Sequence, residues 1–141
     1  MKKSVIFLIG VLYIISIIVV TFFGLQATID QFQVYMNSIS ITSYDQIVND
    51  NKYLIVNFND TEGYTSVFIE YDYTPSNATH PDRVSFSLVS NTYVDENGET
   101  AYYAQVSATG EVVFYARRTV KLVITTTDGS KLTDSLMIIC R

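Results

Sequence analysis

The chain has 141 residues, with 9 basic and 14 acidic side chains, a formal net charge of −5 and a mean hydropathy of +0.22. That length suits one folded domain and not comfortably two. The acidic balance argues against a nucleic-acid partner, because phosphate contacts need clustered Lys and Arg, and the one adjacent basic pair beyond the N-terminus is Arg117-Arg118.

The apolar excess and the acidity occupy different places. The start, "MKKSVIFLIGVLYIISIIVVTFFGLQATID", carries no charge between Lys3 and Asp30, and every acidic residue lies at or after Asp30. A helix over residues 5–25 is about 30 Å long, the hydrocarbon thickness of a bilayer. Ser16 and Thr21 can return their hydroxyls to the helix backbone without spoiling the span. Two lysines before it and none soon after place the N-terminus in the cytoplasm and the remainder outside. A cleaved signal peptide is the competing reading, and would make the protein secreted. Its apolar region is normally shorter, and "GLQAT" offers only Leu25 and Ala27 at cleavage-site spacing, so an uncleaved signal anchor fits better. The expected division is a cytoplasmic start and transmembrane anchor over residues 1–30 and an extracellular domain over 31–141.

Past Asp30 the chain is rich in Val, Ile, Thr, Tyr and Phe, which suit a pleated, half-buried surface. Strands are predicted over 34–41, 52–58, 65–73, 83–89, 102–107, 111–115, 119–127 and 131–139. Several alternate with period two. Thr65, Val67, Ile69, Tyr71 and Tyr73 share one face, as do Val120, Leu122 and Ile124. In "VSFSL", Val84, Phe86 and Leu88 alternate with serines, which places Phe86 in the centre of the core. Asp128-Gly129 reads as a tight hairpin turn, and Gly98 and Gly110 supply turn glycines. Both prolines, Pro75 and Pro81, fall in "YTPSNATHPDRVSFSL", where they end one strand and restrict His80 just before the next. That loop reads as architecture. The pattern predicts an all-β, immunoglobulin-like antiparallel β-sandwich of seven to eight strands behind one transmembrane helix, with a small barrel as the alternative.

Candidate chemistry is sparse. Cys140 is the single cysteine, so no internal disulfide forms, and it reads as a small apolar residue ending the last strand. His80, the single histidine, reads as exposed in a turn with no nucleophile indicated beside it. No catalytic, metal or cofactor residues are therefore assigned: zinc needs more Cys and His ligands than the chain has, and "DENGE" (95–99) lacks calcium-loop spacing and reads as an exposed hairpin tip. The 11 tyrosines invite a binding role, because rings stack on sugars and anchor protein interfaces. Tyr102 and Tyr103 are consecutive, so one must point outwards, with Tyr93 and Tyr115 placed to lie nearby. These four are the candidate ligand-binding residues, against the plainer reading of tyrosine as an ordinary strand residue.

"SISI" at 38–41, "YTPSNATHPDRVSFSL", and "VSATGEVVFYARRTVKLVITTTDGSKLTDSLMII" follow in order the pattern of group-2 bacterial immunoglobulin-like (Big) domains, which the chain resembles from about residue 34 to 139. Phe86 stands where that family usually carries a core tryptophan. Arg118 stands near the place of a turn glycine, so that turn must differ. The segment "NTYVDENGETAYY" (91–103) is longer than the usual connection and has room for an added hairpin. The resemblance makes "NAT" (77–79) part of a loop consensus rather than a glycosylation signal. It implies a non-catalytic, membrane-tethered cell-surface module for recognition or adhesion, with a protein or carbohydrate ligand. The alternative is a structural subunit or spacer of an envelope assembly. Clustered exposed tyrosines would favour the first and a polar, scattered surface the second.

Overall fold

The computed structural model describes residues 3–29 and 33–141. Two compact units emerge, Met1–Val34 and Tyr35–Arg141. The expected boundary between residues 30 and 31, and Lys2 of the topology argument, lie outside the described residues.

The first unit holds α1 (Lys3–Ile29), whose 27 residues make a rod about 40 Å long. Its segment Lys3–Phe22 is, among the described residues, the one helix long and apolar enough to cross a membrane. Large apolar side chains lie exposed all the way round it, from Val5 and Phe7 to Val20 and Phe22. The Thr21 hydroxyl donates 2.7 Å back to the Ile17 carbonyl, so that polar group is satisfied inside the helix.

The second unit is an all-β sandwich. In chain order it contains β1 (Ser38–Ile41), β2 (Gln46–Val48), β3 (Asn51–Val56), β4 (Thr65–Phe68), β5 (Tyr71–Thr74) and β6 (Val84–Val89). There follow β7 (Thr92–Val94), β8 (Thr100–Tyr102), β9 (Ala104–Val106), β10 (Glu111–Phe114), β11 (Thr119–Thr126) and β12 (Thr133–Cys140). One layer is the sheet β2-β3-β12-β11-β6; the other is β1-β5 together with β4-β10-β9. Strands β4 and β5 are one extended stretch that changes partner. Ile69 N–H donates to Gly110 on one side, and the Glu70 carbonyl accepts from Thr42 on the other. Counting that stretch once, nine strands build the layers. Apart from the β2–β3 pair, β1, β4–β5, β9 and β10 lie opposite β6, β11 and β12, the immunoglobulin arrangement. One pairing is parallel: β3 runs alongside β12 from Leu136–Lys52 to Cys140–Val56. The smaller β7–β8 hairpin occupies the long 91–103 segment.

Alternation selects the core as expected. Val120, Leu122 and Ile124 on β11 and Leu136, Ile138 and Cys140 on β12 face Ile41, Val112 and Phe114 across the sandwich, all buried. Each full aliphatic burial contributes about 1.5–3 kcal/mol. Burial also pushes the Cys140 thiol above its ordinary pKa, as suits an inert core residue.

Three expectations are corrected. Phe86 does not lie at the centre. Its side chain faces inwards, but β6 is the edge of its sheet, so the ring is half-buried, edge-on to Tyr71 at 6.1 Å. Among the described residues, the fully buried aromatic is Phe114, on the central strand of its own sheet. His80 and Asp95 are half-buried rather than exposed. Asp95 folds its carboxylate back onto the Asn97 and Glu99 N–H groups, both at 2.9 Å. Finally, Asp128-Gly129 is no two-residue turn. The β11–β12 connection runs over residues 127–132, and of that pair only Gly129 takes a left-handed φ, at 108°.

Asp128 instead points inwards. One carboxylate oxygen accepts the Met36 N–H at 2.9 Å, and the other accepts the Ser130 N–H at 2.9 Å and the Ser130 hydroxyl at 2.6 Å. Asp134 acts likewise at the far end of β1. It accepts the Ile41 N–H at 2.7 Å and pairs with Lys52. The last hairpin therefore grips both ends of the segment that leads into the sandwich. Burial alone would raise both carboxyl pKa values, but these donors outweigh it and hold both below the ordinary aspartate value.

The proline loop is architectural too. Strand β5 stops at Thr74, Pro75 accepts from Ala78 N–H, and the Tyr71 hydroxyl donates 3.1 Å to the Pro81 carbonyl just before β6 begins.

Candidate functional site

Strand directions define two ends of the sandwich. Tyr35, the 75–83 loop and the 127–132 loop share the lower end, because Met36 bonds Asp128 and Thr127 bonds Arg83. The upper end carries the 57–64 loop, the β10–β11 connection, the root of the β7–β8 hairpin and Arg141, as the bonds Phe58–Arg141, Cys140–Arg118 and Tyr115–Tyr103 show.

Three of the four candidate tyrosines meet at this upper end. On β10, Val112 and Phe114 point into the core, so Val113 and then Tyr115 point outwards. Gln105 on β9 opposes Val113 and shares its face, and the Tyr115 hydroxyl reaches Gln105 at 3.2 Å. Tyr103 lies two residues before Gln105, on the same outward side. Its backbone is pinned twice, donating 2.7 Å to the Asn91 carbonyl and accepting 2.8 Å from Tyr115. In the hairpin Tyr93 opposes Ala101, and Tyr102 opposes Thr92. Tyr93 and Tyr103 are therefore diagonal neighbours on one face, with rings stacked at 4.5 Å and 19°. Tyr102 is 46% exposed, but it faces the other side of the hairpin and stands apart.

Sequence reasoning missed the remaining members. Tyr64 precedes Thr65, which opposes Phe114, so it is the next residue alongside Tyr115. Tyr64 and Tyr115 are each 47% exposed and Tyr93 is 41%. Tyr64, Tyr115, Tyr103 and Tyr93 thus form a row that crosses the sheet from β4 to the hairpin. The Arg118 guanidinium lies over the Tyr103 ring at 4.8 Å, a cation–π contact. Its neighbour Arg117 turns the other way, over Phe58 at 5.5 Å and into an ion pair with Asp60. Arg118 is exposed and has no acidic partner among the described residues. The signal was the basic pair itself, weighed only as a nucleic-acid footprint and too small for one.

The site has a division of labour. Tyr103 is engaged by Tyr93 and by Arg118 and orients both. Tyr93 and Tyr115 offer open ring surface, each with a phenolic hydroxyl. His80, in the lower-end loop, and Cys140, beside Arg118 at the upper end, sit at opposite ends of the sandwich and form no catalytic pair. Among the described residues, no group of three His, Cys, Asp or Glu side chains is placed to hold a metal ion.

No protein-family model matches the sequence, and no curated protein matches it. Among solved structures, the chain is similar to an intimin mutant from EHEC O157:H7, at 18% identity and a TM-score of 0.41 over 74% of this chain and 47% of that one. It is also similar to SGBP-B of the Bacteroides ovatus mixed-linkage glucan utilization locus, solved with a mixed-linkage heptasaccharide. There the identity is 11% and the TM-score 0.42, over 74% of this chain and 24% of that one. The chain thus spans less than half of either. At this distance no residue role passes from those proteins to this chain.

Proposed function

We propose that this protein is a membrane-tethered, extracellular recognition module of the bacterial immunoglobulin-like group-2 kind, with an anchor over residues 1–30 and a binding domain over 31–141. The tether reading is supported by the apolar helix and by its lysine-first flank. The recognition reading is carried by one observation, the Tyr64–Tyr115–Tyr103–Tyr93 row at the upper end of the sandwich. Stacked and exposed aromatics of this kind supply large, low-entropy contact area for a ligand. A spacer has no use for such a row, which leaves apolar ring surface in water at the end opposite Tyr35. The chemistry is non-covalent binding, and no residue is assigned a catalytic role.

The test is direct. Full-length chain in lipid nanodiscs is applied to arrays of immobilised glycans and of purified cell-surface proteins. Specific retention that is lost in Tyr93→Ala/Tyr115→Ala, with the melting temperature unchanged, supports the proposal. Retention on nothing, or retention indifferent to both tyrosines, leaves the spacer reading.

A further inference from the structure

We infer that the ligand of the tyrosine row is a saccharide bearing an anionic group, a carboxylate or a sulfate, with Arg118 as the residue that reads the charge. The inference rests on the recognition reading above and gives it a chemical class.

The rings argue for a sugar. Adjacent strands lie about 4.8 Å apart, so Tyr115, Tyr103 and Tyr93 present side chains at close, regular intervals across the strands. Tyr103 has one face against Tyr93 and the other against Arg118, so Tyr115 and the outer face of Tyr93 are the ring surfaces left for linked pyranose rings. Each of these rings carries a hydroxyl, and the Gln105 side-chain oxygen accepts from the Tyr115 hydroxyl at 3.2 Å. Flat apolar surface rimmed by donors and acceptors matches the two sides of a pyranose, its C–H face and its hydroxyl edge. A stable protein partner would instead bury about 800 Å² on each side, around a well-packed apolar centre. Behind the row, Ser66 and Gln105 flank half-buried Val113 and stand between the tyrosines and exposed Phe68.

Arg118 argues for the anion. The chain is acidic overall, and Arg117 beside it is neutralised by Asp60, yet Arg118 is exposed without an acidic partner among the described residues. It is held rather than free, because its guanidinium carbon lies over the Tyr103 ring, 4.8 Å from the centroid. A cation–π contact uses up no N–H donor, which leaves those groups for a planar or tetrahedral oxyanion. An uncompensated cation fixed at the edge of a sugar-sized aromatic row is placed for a charged substituent.

The experiment measures binding of full-length chain in nanodiscs to four probes: oligogalacturonate, a sulfated oligosaccharide, a neutral β-glucan oligosaccharide and polyglutamate. One anionic saccharide should bind, with affinity falling at high ionic strength. Which of the two binds distinguishes carboxylate from sulfate. Arg118→Gln should weaken it by about tenfold or more at an unchanged melting temperature. Arg118→Lys should recover part of that loss, and neutral glucan binding should be weak and indifferent to either change. Equal binding of the neutral glucan, or no effect of Arg118→Gln, overturns the inference and leaves recognition standing. Binding of polyglutamate alone overturns it in favour of an acidic protein ligand. Binding of no probe overturns it as well, and the array assay above then shows whether recognition falls with it.

Discussion

The Asp128 carboxylate accepts a 2.9 Å hydrogen bond from the backbone N–H of Met36, which lies 92 residues earlier in the chain. This bond closes the lower end of the sandwich around the incoming segment. Removing it strands the buried N–H of Met36 and the half-buried N–H of Ser130. Asp128→Ala should therefore destabilise the domain by about 1–3 kcal/mol, read from urea melts. A change below about 0.5 kcal/mol would show that the segment is held by β1 pairing alone.

Acid should loosen the same grip. Asp128 and Asp134 both titrate below the ordinary aspartate value when folded. Their stabilisation is therefore complete above the unfolded pKa of about 3.9 and is lost as pH falls through the folded values. Melting temperature measured downwards from pH 6 should hold level to near pH 4 and then drop. Asp128→Asn combined with Asp134→Asn should flatten that drop. An equally steep fall in the double variant would place the acid sensitivity elsewhere.

Phe114 and Phe86 should separate in their cost. Phe114 is fully buried in a central strand, so Phe114→Ala should cost about 3–5 kcal/mol. Phe86→Ala, at the half-buried edge, should cost clearly less. Equal costs would mean that the edge of the sheet is as tightly packed as its middle.

Gly110→Ala tests how the β9–β10 turn meets that edge. Gly110 has φ +86°, and a Cβ there would lie 2.9 Å from Phe86 Cζ and 3.3 Å from the Ile69 carbonyl oxygen. The change should destabilise by about 1 kcal/mol or more. Phe86→Ala should relieve only the ring's share, leaving a residual cost from the backbone. Full rescue would show that φ carries no strain.

The N-terminal helix should remain attached. Full-length chain should stay in membrane fractions through a high-salt wash, because a spanning helix is not held by surface charge. Added protease should reach the domain from outside intact cells. A shortened product beginning near Thr28 in the medium would establish cleavage instead.

Much of the sandwich was legible because alternation is local. Val120, Leu122 and Ile124 declare their common face within five residues, and the turn glycine at Gly110 lies where "ATGE" places it. Strand β2 was missed because its three residues are all exposed and show no alternation. Its turn through Asn49 and Asp50, at φ 49° and 63°, is a two-residue connection of the kind that Asn and Asp tolerate. Phe86 was misplaced for a related reason. Period two reports which face a residue takes, not how far its strand lies from the sheet edge. The tyrosine row divides the same way. Tyr103 and Tyr115 could be proposed from their strands, whereas Tyr64 and Arg118 join them only through pairings across the fold.

The parallel pairing of β3 with β12 has a mechanical consequence. It leaves Tyr35 and Arg141 at opposite ends of the sandwich, and the tyrosine row lies at the end away from Tyr35. A ligand held on that row while Tyr35 is pulled would load the domain along its strands. The bonds between β3 and β12, and those from Asp128 and Asp134 to the β1 segment, run across that direction. Tension would then have to slide them together instead of peeling them one at a time, so the line from Tyr35 to the tyrosine row is also the direction in which this sandwich best resists being pulled open.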